Sequence, residues 1–272
     1  MKFEGIVKCS NEEYHGEKKH LSSSNLKLLL KDPNLFYEEK IKGNIKPVST
    51  STQNAFDEGS LAHSLILEPH MVKKEYKFFQ GFRKQGKDWE KFKKENQHSN
   101  CVLMSASQKK KVENWVSGYK KLPIATDLIK GGKSEHTLFG ELMGVPIKVR
   151  ADYINIDRGY LADVKTTSNP TDVESFKYTV KSFEYDLSAA LYSMMFEKFY
   201  DKEFKFYFIV LGKRDNSCEV YCLSDTSRKL GEGKIIRALQ KYKQCKKSGI
   251  WKLNDSQKSD MIESNNYEIL EV

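Results

Sequence analysis

Apolar and polar positions alternate most regularly in two neighbouring stretches, 149–154 and 160–166, both rich in β-branched and aromatic residues. A period of two predicts half-buried strands. Asn155, Asp157 and Gly159 lie between them, so the pair is expected to close as a hairpin on a loop of about four residues, 156–159. Upstream, residues 134–152 read as strands around a turn at Met143-Gly144. Downstream, 204–211 and 218–223 read as a second hairpin around 213–217.

Elsewhere the apolar spacing is helical. Leu26, Leu29 and Leu30 follow a serine-rich start, and Leu61, Leu65 and Ile66 precede Pro69. Val112, Trp115, Val116 and Tyr119 mark a helix over 105–121. Leu187, Ala190, Leu191, Met194 and Met195 mark one over 184–200, and Ile235, Ile236, Leu239 and Tyr242 one over 225–247. A 3.6-residue stripe of this kind needs a layer to pack against. Shorter helices are expected at 34–42, 87–96 and 125–130, and a short helix or turn at 172–180. Residues 1–20 read as a loop or short edge element, and 43–53 as a linker. The order of helices, strands, helix, strands, helix predicts an α/β fold with a central mixed β-sheet flanked by helices. At 272 residues one domain is expected. It comprises an N-terminal helical segment (1–53), a helical basic part (54–130), a sheet core with flanking helices (131–252) and a polar tail (253–272).

The first hairpin carries chemistry. Side chains alternate faces along a strand, so Arg150 and Asp152 share one face. Asp163 and Lys165 also share a face, with Val164 pointing away. Closing the hairpin on four residues sets Asp152 opposite Asp163. Two carboxylates on adjacent strands suit Mg²⁺ or Mn²⁺, hard cations that accept phosphate oxygens. A lysine beside them can position a water or neutralise developing charge. The bland alternative is a surface hairpin with an Asp–Lys pair.

Charge narrows the partner. The net charge is +9, with 46 Lys and Arg, an excess that fits a polyanion and nucleic acid first. Residues 71–121 hold 14 Lys and Arg against 5 Asp and Glu, with Tyr76, Phe78, Phe79, Phe82, Trp89 and Phe92 interleaved. That pattern reads as a phosphate track with rings able to stack on bases, or as a solvated face with its apolar side in the core. Lys84, Lys87, Lys91 and Lys94 are its candidate DNA contacts, and Arg150 is another. Lysine dominance favours sequence-nonspecific contact. No apolar run is long enough to span a bilayer, and Met1–Glu4 leads into polar sequence without a secretory pattern. Five scattered cysteines favour free thiols and a cytoplasmic setting. No P-loop is present, which excludes ATP-driven unwinding by this chain.

Asp152 followed by Asp163-Val164-Lys165 resembles the metal site of the PD-(D/E)XK nuclease superfamily. Further stretches resemble its exonuclease VIII (RecE-type) and RecB-like branch. These are Ser22, Ser24 and Leu26 ahead of Asp32-Pro33 and Phe36, and Gly59-x-x-x-His63-x-x-x-Leu67-x-Pro69. Glu135 stands where that branch often has a glutamate. Tyr192 stands where it has the tyrosine of Gln-x-x-x-Tyr, although Ser188 replaces the glutamine. The resemblance covers about residues 14–252. It implies Asp152, Asp163, the Val164 carbonyl and His63 as metal ligands and Lys165 as the residue that positions or activates the water. It places Glu135 and Tyr192 as further site residues and Ser22 and Ser24 as phosphate contacts. It also implies a Mg²⁺- or Mn²⁺-dependent, phage-type exonuclease acting on duplex DNA ends, often 5′→3′. Ring-like homo-oligomers and a single-strand annealing protein as partner belong to the same implication. An endonuclease on the same fold and a non-catalytic DNA-binding module remain open alternatives.

Overall fold

The structure, a computed structural model, describes residues 4–252 and the backbone of 270 and 271. The chain opens with β1 (Gly5–Ile6), a short edge strand, and α1 (Asn11–Gly16), where a loop or short edge element was expected. Helix α2 (Ser23–Lys31) ends at Asp32, which caps α3 (Pro33–Phe36) by accepting from the Leu35 N–H at 2.9 Å. A single π-type turn, Tyr37–Ile41, follows. Helix α4 (Thr50–Leu67) begins inside the expected linker, because the Ser49 hydroxyl caps it by accepting from the Thr52 N–H at 3.2 Å. Then come α5 (Val72–Glu75), β2 (Tyr76–Phe79), α6 (Gly86–Glu95), β3 (Val102–Ser105), α7 (Ala106–Lys121) and α8 (Pro123–Leu128). The core is built by β4 (Lys133–Leu142), β5 (Val145–Asn155) and β6 (Tyr160–Thr167). It is completed by α9 (Val173–Phe183), α10 (Tyr185–Tyr200), β7 (Lys205–Gly212), β8 (Cys218–Cys222) and α11 (Asp225–Ser248). Part of the expected tail is a strand, β9 (Leu270–Glu271), paired with β8; the rest of 253–272 lies outside the described residues.

One mixed sheet runs in the order β1-β4-β5-β6-β7-β8-β9. All neighbours are antiparallel except β6 and β7, which run parallel across the α9–α10 crossover. A separate parallel pair joins β2 to β3. Helices cover both faces of the large sheet. On one face Leu26, Leu29, Phe176, Leu187, Leu191 and Leu239 pack against Val149, Leu161 and Phe208. On the other, Leu61, Ile66, Val112, Trp115 and Val116 pack against Ala162, Val164, Ile209 and Leu211. This is the predicted α/β architecture, with α10 sandwiched between sheet and α11 and apolar nearly all round. Gly231 permits that crossing: a Cβ there would lie 2.3 Å from the Asp186 carbonyl oxygen. Among the described residues no helix is long and apolar enough to cross a membrane.

The N-terminal segment is fastened to the sheet by two cations of β5. Lys148 Nζ donates to the carbonyls of Tyr14 (2.5 Å) and Glu17 (2.6 Å) and lies 4.7 Å from the Tyr14 ring centroid. Burial pushes its pKa down to about 8. Removing a charged donor from two buried carbonyls outweighs the relief of desolvation, so Lys148→Met should cost about 2 kcal/mol. Urea unfolding measures it, and an unchanged midpoint would show that the fastening adds no stability. The pH profile carries the same signature. Between about 8 and 10.5 the unfolded lysine holds its proton more fully than the folded one. The share of Lys148 in stability therefore rises with pH across that window, and the variant should lose that rise.

Candidate active site

The β5–β6 hairpin closes on 156–159: Asn155 pairs with Tyr160 and Tyr153 with Ala162. One step further the strands part. From Asp163 onward β6 is paired only with β7, so Asp152 and Asp163 face one another at the mouth of a fork. Asp152 Oδ2 accepts from the Val164 N–H at 2.9 Å, holding the two strands in register across it. Val164 itself is fully buried on the far face.

The same row extends to β4. Ser134 pairs with Tyr153 and His136 with Ala151, which sets Glu135 level with Asp152. Glu135 is skipped by the ladder and has a φ of 49°, a left-handed conformation uncommon for a residue with a Cβ. Glu135, Asp152 and Asp163 therefore line up across three consecutive strands. Burial raises the Glu135 carboxyl to about 8, with Asp152 adding to the shift, and Glu68 and Glu75 contribute in the same direction. Burial also raises Asp163, against the pull of Lys165 and with Asp152 adding to it.

Basic side chains answer this row. Lys165 Nζ forms an ion pair with Asp163 Oδ2. Burial would lower the lysine, but Asp163 and Asp152 outweigh it and hold the ammonium above its ordinary pKa. His63, on α4, approaches from the other side, its Nδ1 3.2 Å from Asp152 Oδ2. The hairpin residues named from the sequence and His63 thus meet at one point. Tyr192 of α10 borders them. Burial raises its pKa well above the ordinary value, Asp163 and Asp152 add to the rise, and its hydroxyl is hydrogen-bonded to Ser23.

Other expected contacts are placed differently. Arg150 spends its guanidinium on the N-terminal segment. It donates to Thr137 Oγ1 (2.7 Å), Asn11 Oδ1 (2.6 Å) and the Cys9 carbonyl (3.0 Å), and stacks 4.3 Å over the Tyr14 ring. It therefore has little left for a phosphate, and non-local pairing to residues 9–11 is the reason. Ser22 and Ser24 share a hydroxyl contact of 2.9 Å at the start of α2, while Ser23 between them turns inward to Tyr192. Lys87, Lys91 and Lys94 are exposed on α6, whereas Lys84 donates to the Leu103 carbonyl at 3.2 Å. The interleaved rings are mostly not presented. Tyr76 and Trp89 are buried, and Phe79, Trp89 and Phe92 pack on one another at 5.5–5.7 Å between centroids.

Two residues were missed. Lys27 of α2 lies 5.4 Å from the Tyr185 ring centroid, and Lys165 lies 5.0 Å from the same ring. Burial, and then Lys165, lowers Lys27 to about 8. Its signal was a single lysine set among Leu26, Leu28, Leu29 and Leu30. Tyr185 gave no signal, because it opens a helix whose other residues are plainly core.

Among the described residues no group of three or more His, Cys, Asp or Glu side chains stands at metal-ligating spacing. The donor chemistry nonetheless fits a hard divalent cation. Carboxylate oxygens predominate, one imidazole adjoins them, and burial of the acidic row makes added positive charge favourable. Asp152, Asp163, Glu135 and His63 are the residues able to hold it.

The family model described as "PDDEXK-like domain of unknown function (DUF3799)" matches residues 22–265. The chain belongs to this family. Its fold is shared by a protein from Eubacterium rectale described as a "Putative exonuclease", 16% identical over 96% of this chain and 97% of that one, with a TM-score of 0.65. The solved structure of SSO0001 is 14% identical over 83% of this chain and 81% of that one, with a TM-score of 0.37. No curated protein matches the chain. The PDDEXK-like fold is thus reached independently from strand topology and from sequence, and a nuclease-superfamily domain is the general assignment.

Proposed function

We propose that this PDDEXK-like chain is a single-domain, Mg²⁺- or Mn²⁺-dependent deoxyribonuclease that removes nucleotides from duplex DNA ends, as the resemblance to the exonuclease VIII branch implies. The carrying observation is the row Glu135, Asp152 and Asp163 at the strand fork, with Lys165 paired to Asp163. When bound, the cation supplies Lewis-acid charge to the phosphodiester and to the attacking water. The carboxylates of Asp152 and Asp163 hold it, and Glu135 and His63 flank them. Lys165 is kept protonated by Asp163, so its part is to orient the water by donation and to offset charge developing on the phosphoryl oxygens. The Val164 carbonyl is the further ligand proposed from the family pattern. The exposed lysines of α6 give sequence-independent backbone contact. The name of the Eubacterium rectale protein agrees with an exonuclease. A 5′→3′ direction, ring-like oligomers, a single-strand annealing partner and a phage-type role in the host cytoplasm complete the proposal.

End-labelled linear duplex, single strand and covalently closed circle, each with Mg²⁺ or EDTA, test it. The linear duplex should be degraded with Mg²⁺ alone and the circle left intact. Cutting of the circle would assign the site to an endonuclease, and no cutting of any substrate would leave a binding module. His63 has its own outcome. His63→Ala should raise the Mg²⁺ concentration needed for half-maximal cleavage while the thermal transition is kept. A lowered transition with an unchanged Mg²⁺ requirement would make His63 structural.

A further inference from the structure

A second feature lies on the α4/α7 face of the sheet, apart from the carboxylate row. A cleft of about 620 Å³ opens between α7, the segment before α6 and the β7–β8 turn. Lys110, Lys111, Lys213 and Arg214 line it, and its lining includes no carboxylate. Lys111 pairs with Glu58, its Nζ 2.8 Å from Glu58 Oε2, and the same carboxylate acts on Lys213. Trp115 forms the floor. The Nζ atoms of Lys111 and Lys213 lie 5.2 and 5.3 Å from its ring centroid, and its indole N–H donates to the Lys213 carbonyl at 3.1 Å. The turn is fixed again where the Lys213 N–H donates to Thr167 at the end of β6.

Phe82 stands at the rim, 75% exposed. Its backbone is anchored, since Ser107 Oγ donates to its carbonyl at 2.6 Å, yet its ring lies in water. A cluster of cations calls for a polyanion. An exposed ring beside it selects one that also carries flat, unpaired bases. The cleft is also close to the candidate active site. Glu58 at its edge, Gly59 over Thr166 of β6 and His63 beside Asp152 lie on one helix, α4. At about 1.5 Å per residue, the five residues from Glu58 to His63 span roughly 7.5 Å.

We propose that this cleft holds an unpaired stretch of nucleic-acid strand, its phosphates on Lys110, Lys213 and Arg214 and one base against Phe82. The proposal rests on the nuclease reading and adds a strand path separate from the lysines of α6.

The test is binding in EDTA, by anisotropy of a fluorescein-labelled oligothymidylate and of a blunt duplex of equal length across a salt series. The combined variant Lys110→Ala, Lys213→Ala, Arg214→Ala should lose about tenfold or more in single-strand affinity. Its slope of log K against log[salt] should become shallower by about 2, because each phosphate contact on a single strand contributes about 0.7. Phe82→Ala should lose about tenfold on the single strand, keep the slope and leave the duplex unaffected. Thermal transitions confirm that both variants fold. Parent-like affinity and slope in the combined variant would overturn the proposal. So would a Phe82→Ala loss as large on the duplex as on the single strand. Since binding is read without metal, a parent that binds here but cuts no DNA with Mg²⁺ defeats the nuclease reading alone. A parent that cuts, with variants that bind unchanged, defeats the cleft alone.

Discussion

Asp163→Asn should give a folded protein that binds DNA and metal-dependently cuts almost none of it. The substitution keeps the side chain's shape and removes a buried negative charge from the row of Glu135, Asp152 and Asp163. Two consequences oppose each other in stability. Relief of burial and of repulsion from Asp152 is favourable, while Lys165 loses its ion-pair partner, and a half-buried ammonium without a partner is costly. Activity has no such compensation. With one of the two central ligands neutral, cation affinity should fall, and single-turnover cleavage of end-labelled duplex should drop at least about 10³-fold. DNA affinity should hold or rise, because less negative charge faces the phosphates. Calorimetric titration with Mn²⁺ and single-turnover rates measure both. Cutting at near the parent rate would falsify the assignment of this hairpin.

Lys165→Ala should also slow cleavage, though less, and be opposite in its effect on metal. The ammonium sits on Asp163 Oδ2, where it competes with any cation for that oxygen. Its removal should tighten Mn²⁺ binding, while loss of one electrostatic contact to the reacting groups costs about 10²–10³ in rate. It also leaves Asp163 buried and unpaired, which should lower stability in EDTA by about 3 kcal/mol. Added Mn²⁺ should restore much of that loss through binding to the folded state. If Lys165→Ala and Asp163→Asn weaken metal binding alike, the Asp163–Lys165 pair is a structural ion pair and the lysine has no separate role.

The part of this site that is local in sequence was legible in it. Alternation, with Asn155 and Gly159 as turn residues, fixes the four-residue loop and sends Val164 to the opposite face from Asp163. The turn at Met143-Gly144 is a two-residue connection, with Leu142 paired to Val145, and counting back from it reaches Glu135 opposite Asp152. Counting does not reveal the left-handed backbone at Glu135 or the parting of β5 and β6, which depend on strands competing for partners. The remaining differences are long-range. Arg150 shares a strand face with Asp152 by periodicity, but residues 9–11 capture its donors. The rings of 76–92 looked available for stacking, but the pairing of β2 with β3 folds them onto one another. Lys27 reaches Lys165 only because α2 crosses to the α10 side of the sheet.

That crossing of α2 bears on how the chain is made. Leu26 and Leu29 are fully buried, in a cluster whose other members include Leu187, Leu191, Ile235 and Leu239. A ribosome working at about 5–20 residues per second needs roughly 10–40 s to proceed from α2 to the middle of α11. For most of that interval the leucine face of α2 lacks its partners from α10, and for all of it those from α11. A nascent chain released before α11 therefore carries the carboxylates and α10, but leaves the α11-facing side of α2 uncovered. Until α11 is made, α2 therefore presents an apolar face that a chaperone can hold.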